Sequence, residues 1–302
     1  MLHFNEMSYS TAFGEMYNMK VEEYLSDFSY ELKGKVNLIF TSPPFPLNRK
    51  KSYGNYTGEE YLEWLKVVSV SLSELLTEDG SIVIEIGNNW EKGVPIFSTL
   101  PMEALLEFKK ASNLYLCQEF IVYNPSRLPT PIEWVNKRRI RVKDSFTRVW
   151  WLSKTPFPKA NNRNVLVEYS KSMRKLLKTN KYNSGKRPSE HKIGEKSFFS
   201  NNGGSIAPNV LTISNTNSND KYIKYCKQNN LILHPARMPK ELPEFFIKFL
   251  TEENDLVFDP FAGSNTTGEV AESLSRNWIA VESQKSYFEG SRGRFYLEEN
   301  NE

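Results

Sequence analysis

The chain has 302 residues, of which 39% are hydrophobic and 25% charged. That length and composition suit one large α/β domain, or one domain carrying a sizeable insertion, and exclude wholesale disorder. The formal net charge is only +3, so the distribution of basic residues says more about partners than their sum does.

The first clear strand is Val36-Asn37-Leu38-Ile39-Phe40. It must end at Thr41-Ser42-Pro43-Pro44-Phe45-Pro46, because proline cannot continue a central ladder. A polar loop containing Arg49, Lys50 and Lys51 follows. Thr57-x-x-Glu60 has capping-box spacing and predicts a helix start, with Tyr61, Leu65, Val68, Leu72 and Leu75 as its apolar stripe and Glu78-Asp79-Gly80 as its stop. Ser81 to Ile86 reads as a buried strand, so strand, helix and strand make a βαβ crossover and a parallel sheet. Further strands are expected over 120–123 and 146–152. From about Thr155 to Asn230 the apolar periodicity fades and Lys, Asn, Ser and Gly dominate, which reads as an irregular insertion. Regular texture returns with a helix over 242–250, a strand over 256–258, a tight turn over 259–265, a helix over 266–274 and a strand over 278–281. The expected division is therefore 1–154, 155–230 and 231–302.

The two cysteines, Cys117 and Cys226, and the three histidines, His3, His191 and His234, are scattered without metal-ligand spacing. Neither a disulfide framework nor a metal site is expected, and a reducing compartment is the natural reading. The opening residues lack the basic start and apolar run of a secretory signal, and no stretch has the apolar length to span a bilayer. The expectation is a cytoplasmic protein with no membrane partner.

Two turns carry chemistry. Asp259-Pro260-Phe261-Ala262-Gly263-Ser264-Asn265-Thr266-Thr267-Gly268 joins a strand to a helix. Its small residues let a ligand approach the backbone, and the helix N-terminus offers free N–H groups. Glu282 ends the next strand about 20 residues on, where a carboxylate can accept from ribose hydroxyls. Read alone, the turn is equally an ordinary strand-to-helix connection; it is neither G-x-G-x-x-G nor a P-loop. Ser42-Pro43-Pro44-Phe45, at the carboxyl end of a sheet strand, is harder to explain as structure. Two prolines donate no N–H, so their carbonyls and the Ser42 hydroxyl form a cluster of acceptors. Such a cluster orients the lone pair of an exocyclic amino nitrogen, and Phe45 offers a flat face on which a base can stack, an interaction of roughly 1–3 kcal/mol. A base in a duplex reaches such a pocket only by flipping. Neither cysteine follows a proline, which argues against a cysteine nucleophile and cytosine C5 chemistry.

Thr41-Ser42-Pro43-Pro44-Phe45 resembles the catalytic motif of the DNA amino-methyltransferases, and Asp259-Pro260-Phe261-Ala262-Gly263-Ser264 resembles their S-adenosylmethionine motif. The order, catalytic before cofactor, is that of the β group. Asn124-Pro125-Ser126-Arg127-Leu128-Pro129, Ile132-Glu133-Trp134-Val135-Asn136-Lys137-Arg138, Trp150-Trp151, His234-Pro235-Ala236-Arg237 and Gly263-Ser264-Asn265-Thr266-Thr267-Gly268 are similar to the PvuII-type cytosine-N4 methyltransferases of restriction-modification systems. The resemblance spans nearly the whole chain. It implies an α/β methyltransferase fold: a mixed seven-stranded sheet with helices on both faces and a target-recognition insertion. It implies S-adenosylmethionine as cofactor, held by Asp259, Phe261, Gly263, Ser264, Asn265 and Glu282, with His234 near its methionine end. It implies catalysis by Ser42, Pro43, Pro44 and Phe45, and Ser in place of Asp at the head of that motif points to cytosine N4. The Gly-Asp that the family often carries before the catalytic strand is replaced here by Tyr17-Asn18-Met19-Lys20-Val21, and the adenine contact is left unassigned.

Lys137, Arg138, Arg139 and Arg141, with Lys143 and Arg148, form a basic run suited to phosphate. A second group comprises Lys171, Arg174, Lys175, Lys178, Lys181, Lys186, Arg187 and Lys192. Arg49, Lys50 and Lys51 are expected to grip phosphate while their loop closes over the flipped base. The region 155–230 is the expected reader of sequence. The partner is then double-stranded DNA with a short specific site, the chain acting as a monomer beside a restriction endonuclease. Adenine N6 methylation by the same pocket is the nearest alternative. Methylation of a protein amide, or DNA binding without catalysis, are more distant ones.

Overall fold

The computed structural model describes residues 8–45, 56–180, 200–214 and 220–295, with the backbone of 185–186 and 192–193. The chain divides into two compact units, Met1–Ala160 with Asn209–Glu302, and Asn161–Pro208.

The larger unit is built on β1 (Ser8–Ser10), β2 (Gly14–Tyr17), β3 (Val36–Thr41), β4 (Leu76–Ile86), β5 (Tyr115–Tyr123) and β6 (Phe146–Ser153). In the smaller unit Gly185–Lys186 (β7) and Lys192–Ile193 (β8) pair antiparallel. Val210–Thr212 (β9), Leu256–Asp259 (β10) and Asn277–Val281 (β11) complete the main sheet, whose order is β1-β2-β11-β10-β3-β4-β6-β5-β9. The strands from β2 to β4 in that order run parallel, while β6 is antiparallel to both its neighbours. Among the described residues the sheet therefore has nine strands where seven were expected. The two additions are the three-residue edge strands β1 and β9, too short to announce themselves by periodicity. The mixed α/β architecture is as the resemblance implies.

Every residue of β3 except Asn37 is buried, as a central strand covered on both faces demands. Alternation along β4 feeds two cores. Ile82, Ile84 and Ile86 join Tyr61, Leu65 and Phe108 on one face, while Val83 joins Phe40, Phe120 and Phe246 on the other. The first face is covered by α1 (Val21–Leu32), α2 (Gly58–Leu75) and α3 (Leu100–Ser112). Smaller-unit helix α4 is Lys171–Thr179; α5 (Lys221–Gln228), α6 (Glu241–Leu250), α7 (Thr266–Ser273) and α8 (Lys285–Ser291) belong to the larger unit. The Thr57 side chain makes no capping hydrogen bond, so the expected capping box is not formed. α2 also stops before Glu78, because Leu76 is already paired with Val36 in the sheet.

The expected insertion, 155–230, is wider than the compact unit at 161–208. At its far end β9 pairs with β5, and the buried Tyr222, Ile223 and Cys226 tie α5 into the larger unit. Polar composition hid these last elements, which have only one buried face each.

Connections from β3 lead one way along the sheet and those from β10 the other. The boundary between these two parallel neighbours is the topological switch point, where open α/β sheets form a ligand crevice at the carboxyl ends of the strands.

Candidate active site

At that switch point Asp259, the last residue of β10, is buried and fully engaged. It accepts from Thr41 Oγ1 at 2.8 Å, from Thr267 Oγ1 at 2.6 Å and from the Phe261 amide at 3.1 Å. It thus fastens the end of β3 to the turn and to the start of α7. Burial pushes its carboxyl up to about 6, against those three hydrogen bonds. A carboxyl raised in the folded state favours folding at low pH, and that contribution is lost as pH rises from about 4 through about 6. The difference in unfolding free energy between wild type and Asp259→Asn is expected to change across this window, and chemical denaturation at pH 4 and pH 7 measures it. An equal difference at both values would contradict the assignment.

The turn itself needs two left-handed residues, Gly263 at φ 55° and Asn265 at φ 56°. Asn265 is fully buried and caps α7 by accepting from the Gly268 amide at 3.0 Å. Arg294, also buried, locks Ser264 by donating to its Oγ at 2.8 Å and to its carbonyl, and holds Glu269 at 2.7 Å. Sequence reading missed Arg294, which lies near the C-terminus with no motif around it.

Glu282 follows β11. Its carboxylate accepts the Gly263 amide at 2.9 Å and the Gln284 amide at 2.7 Å, and its carbonyl accepts from Asn18 Nδ2 at 2.8 Å. Burial raises its carboxyl, opposed first by those backbone donors. A side chain on Gly263 would meet His234 Nε2 at 3.0 Å, so the backbone and the imidazole make a narrow cradle. His234 is held in turn by its own amide on the Tyr222 hydroxyl at 2.8 Å and by an edge contact with Tyr287 at 4.6 Å. Nearby, Trp64 packs on Phe261 at 5.6 Å and donates to Glu22 at 2.6 Å. The hydroxyl of fully buried Tyr61 on the same wall has no hydrogen-bond partner among the described residues.

Across the cleft, Ser42 and Phe45 are partly exposed and Pro43 is buried. A Cβ at Gly87 would strike the Phe45 ring at 2.6 Å, so the ring packs on bare backbone at that position. Glu85 stands beside Ser42. It accepts from Thr147 Oγ1 at 3.0 Å and from the Ser42 side chain, and burial holds its carboxyl above the usual range despite those bonds and the charge of Arg127. Sequence reading missed Glu85 too, although a carboxylate at the carboxyl end of an apolar strand is a signal.

One cavity of about 1100 Å³ is lined by both groups: Ser42 to Phe45 and Glu85, with Asp259, Phe261, Gly263, Ser264, His234 and Glu282. Met19 and Lys20 line it as well, so the stretch that replaces the family's Gly-Asp reaches the cleft.

A family model described as DNA methylase matches residues 36–292. The chain belongs to this DNA methylase family. Among its relatives, Type II methyltransferase M.PvuII of Proteus hauseri is 47% identical over 98% of this chain and 88% of its own length. The solved PvuII DNA methyltransferase (cytosine-N4-specific) superposes with a TM-score of 0.77 at 40% identity, covering 96% of this methylase and 89% of that chain. An M1.HpyAVI–SAM complex shares the fold, with a TM-score of 0.55 at 21% identity over 94% of this chain and 100% of that one.

The basic residues expected to meet DNA are placed unequally in the methylase. Lys137 and Arg138 are exposed but paired with Glu133 at 3.1 and 3.2 Å. Arg139 is exposed, with φ 54°. Arg141 is turned inward, donating to the Pro95 carbonyl at 3.0 Å and to Asp144 at 3.4 Å; it holds the segment rather than displaying a charge. Arg49, Lys50 and Lys51 lie outside the described residues, as do Lys181 and Arg187 and the side chains of Lys186 and Lys192.

Proposed function

We propose that this methylase transfers the methyl group of S-adenosylmethionine to the N4 amino nitrogen of a cytosine flipped out of duplex DNA at a short specific site. The observation that carries the reading is the single cleft in which Ser42, Phe45 and Glu85 face Gly263, His234 and Glu282. The cytosine-N4 specificity printed for the PvuII methyltransferase supports the choice of base.

The residues present fit the cofactor. Gly263 provides a cradle that a Cβ would fill, and Glu282, held by the backbone amides of Gly263, Gln284 and Ser283, keeps lone pairs for a ribose. Phe261, Trp64 and the Tyr61 hydroxyl, which has no partner among the described residues, suit an adenine. When bound, S-adenosylmethionine supplies a methyl on a positively charged sulfur. Ser42 and the carbonyls of its two prolines hold the cytosine amino group so that its lone pair faces the methyl. The Phe45 ring stacks on the base. Glu85 accepts an amino N–H as positive charge grows on the nitrogen, and takes the proton released once the nitrogen–carbon bond has formed.

The unit Asn161–Pro208 reads the target sequence, with Lys171, Lys175 and Lys178 on α4 available to phosphate beside Arg174, which pairs with Glu168 at 3.7 Å. Exchanging it for the matching unit of a relative should move the site methylated; an unmoved site would refute the role. The chain acts as a monomer and protects its site from a separate restriction endonuclease. Incubation with labelled S-adenosylmethionine and mixed-sequence duplex DNA, then nucleoside analysis, tests the reaction. N4-methylcytosine is expected. N6-methyladenine would overturn the choice of base, and no labelled nucleoside would overturn the substrate class.

A further inference from the structure

Between β5 and β6 the chain makes a long excursion, residues 124–145, above the carboxyl end of the sheet. Its return limb is held from inside. The Ile140 and Arg141 amides bond the Trp134 carbonyl at 3.0 and 3.3 Å. Arg141 donates to Pro95, and Lys143 Nζ donates to the carbonyls of Pro125 and Arg127 at 3.2 and 3.1 Å. The aliphatic residues between these tethers point outward, Ile140 at 60% exposure and Val142 at 86%. An isolated surface aliphatic needs no explanation. Here two stand together on a braced limb, flanked by Arg139 and Lys143.

The limb is next to the cleft. Ser145 accepts the Asn124 amide at 2.7 Å, and Asn124, Arg127 and Thr147 line the cavity. Val142 is three residues from Ser145, so its backbone lies within roughly 10 Å of that wall. A base that leaves the stack opens an apolar gap one base thick, and apolar wedges on basic surfaces fill such gaps. We infer that Val142, supported by Ile140, enters the duplex and occupies the place of the flipped base. This rests on the reading of the cleft as a site for a flipped base.

The test uses the full chain and a duplex containing a site it methylates. Val142→Ala and Ile140→Ala/Val142→Ala are compared with wild type, and with Leu128→Ala, which removes an aliphatic that is 76% exposed on the outgoing limb. All four should unfold at the same temperature, since these side chains are exposed. Val142→Ala is expected to lower kcat/KM on the intact duplex on the order of tenfold, with Leu128→Ala within twofold of wild type. The loss should shrink to less than twofold when the target cytosine faces an abasic site, where it is already unstacked. Equal activity on the intact duplex, or a loss that persists on the abasic duplex, would overturn the wedge. If wild type instead yields no labelled nucleoside from mixed-sequence duplex DNA, so that no such site exists, the reading of the cleft is overturned.

Discussion

Replacing Glu85 by Gln is expected to lower kcat by roughly 10²-fold or more, the scale of a positioned proton acceptor, while cofactor affinity changes little. Glu85 touches Ser42 and Thr147 at the catalytic end of the cleft and none of the groups around Gly263. Glutamine keeps the shape and one accepting oxygen but cannot take a proton. The wild-type rate should also fall as pH drops through a pKa above the ordinary glutamate range, because only the ionised carboxylate can take the proton released by the amino group. The Gln variant should lack that acid limb. Single-turnover rates from pH 5 to 8 test both statements; an unchanged acid limb would remove Glu85 from the proton path. Ser42→Ala should share the bias towards turnover over cofactor binding.

The second large effect belongs to Glu282. Its carboxylate orders the turn through the Gly263 amide and faces the proposed ribose. Glu282→Ala is expected to weaken S-adenosylmethionine binding on the order of 10²-fold, the loss of one or two charge-assisted hydrogen bonds at about 1.5–3 kcal/mol each. Because the group is buried and its carboxyl is raised, the alanine variant should fold at least as well above neutral pH. Calorimetric titration with the cofactor, paired with a melting curve, separates the two effects. Weakened binding with a collapsed melting temperature would mean that Glu282 acts through the fold alone.

Much of this was legible where punctuation met periodicity. The apolar run Val36–Phe40 stopped by Pro43-Pro44, and Leu256–Phe258 leading to Gly263, reveal strand ends and hence the crevice. Glu85 was hidden because it completes a strand whose other residues argue only for burial. Arg294 was hidden because its partner Ser264 is 30 residues away. Arg141 was misleading for the opposite reason. In a basic run it resembles its neighbours, and only the folded chain reveals a carbonyl at Pro95 that it must satisfy. The helix over 100–112 escaped notice because its buried face is thin, with Pro101, Ala104, Phe108 and Ser112 set beside exposed Met102 and Leu106.

The bond between Thr41 and Asp259 spans 218 residues. During synthesis β3 is complete long before β10, its permanent neighbour, leaves the ribosome. At translation speeds of about 5–20 residues per second the interval is roughly 10–40 s. Throughout that time the nascent chain carries an apolar strand with an edge unpaired, the kind of edge that recruits other chains. Expression yield in this methylase should therefore depend on what shields residues 36–41 from neighbouring nascent chains, independently of the stability of the finished sheet.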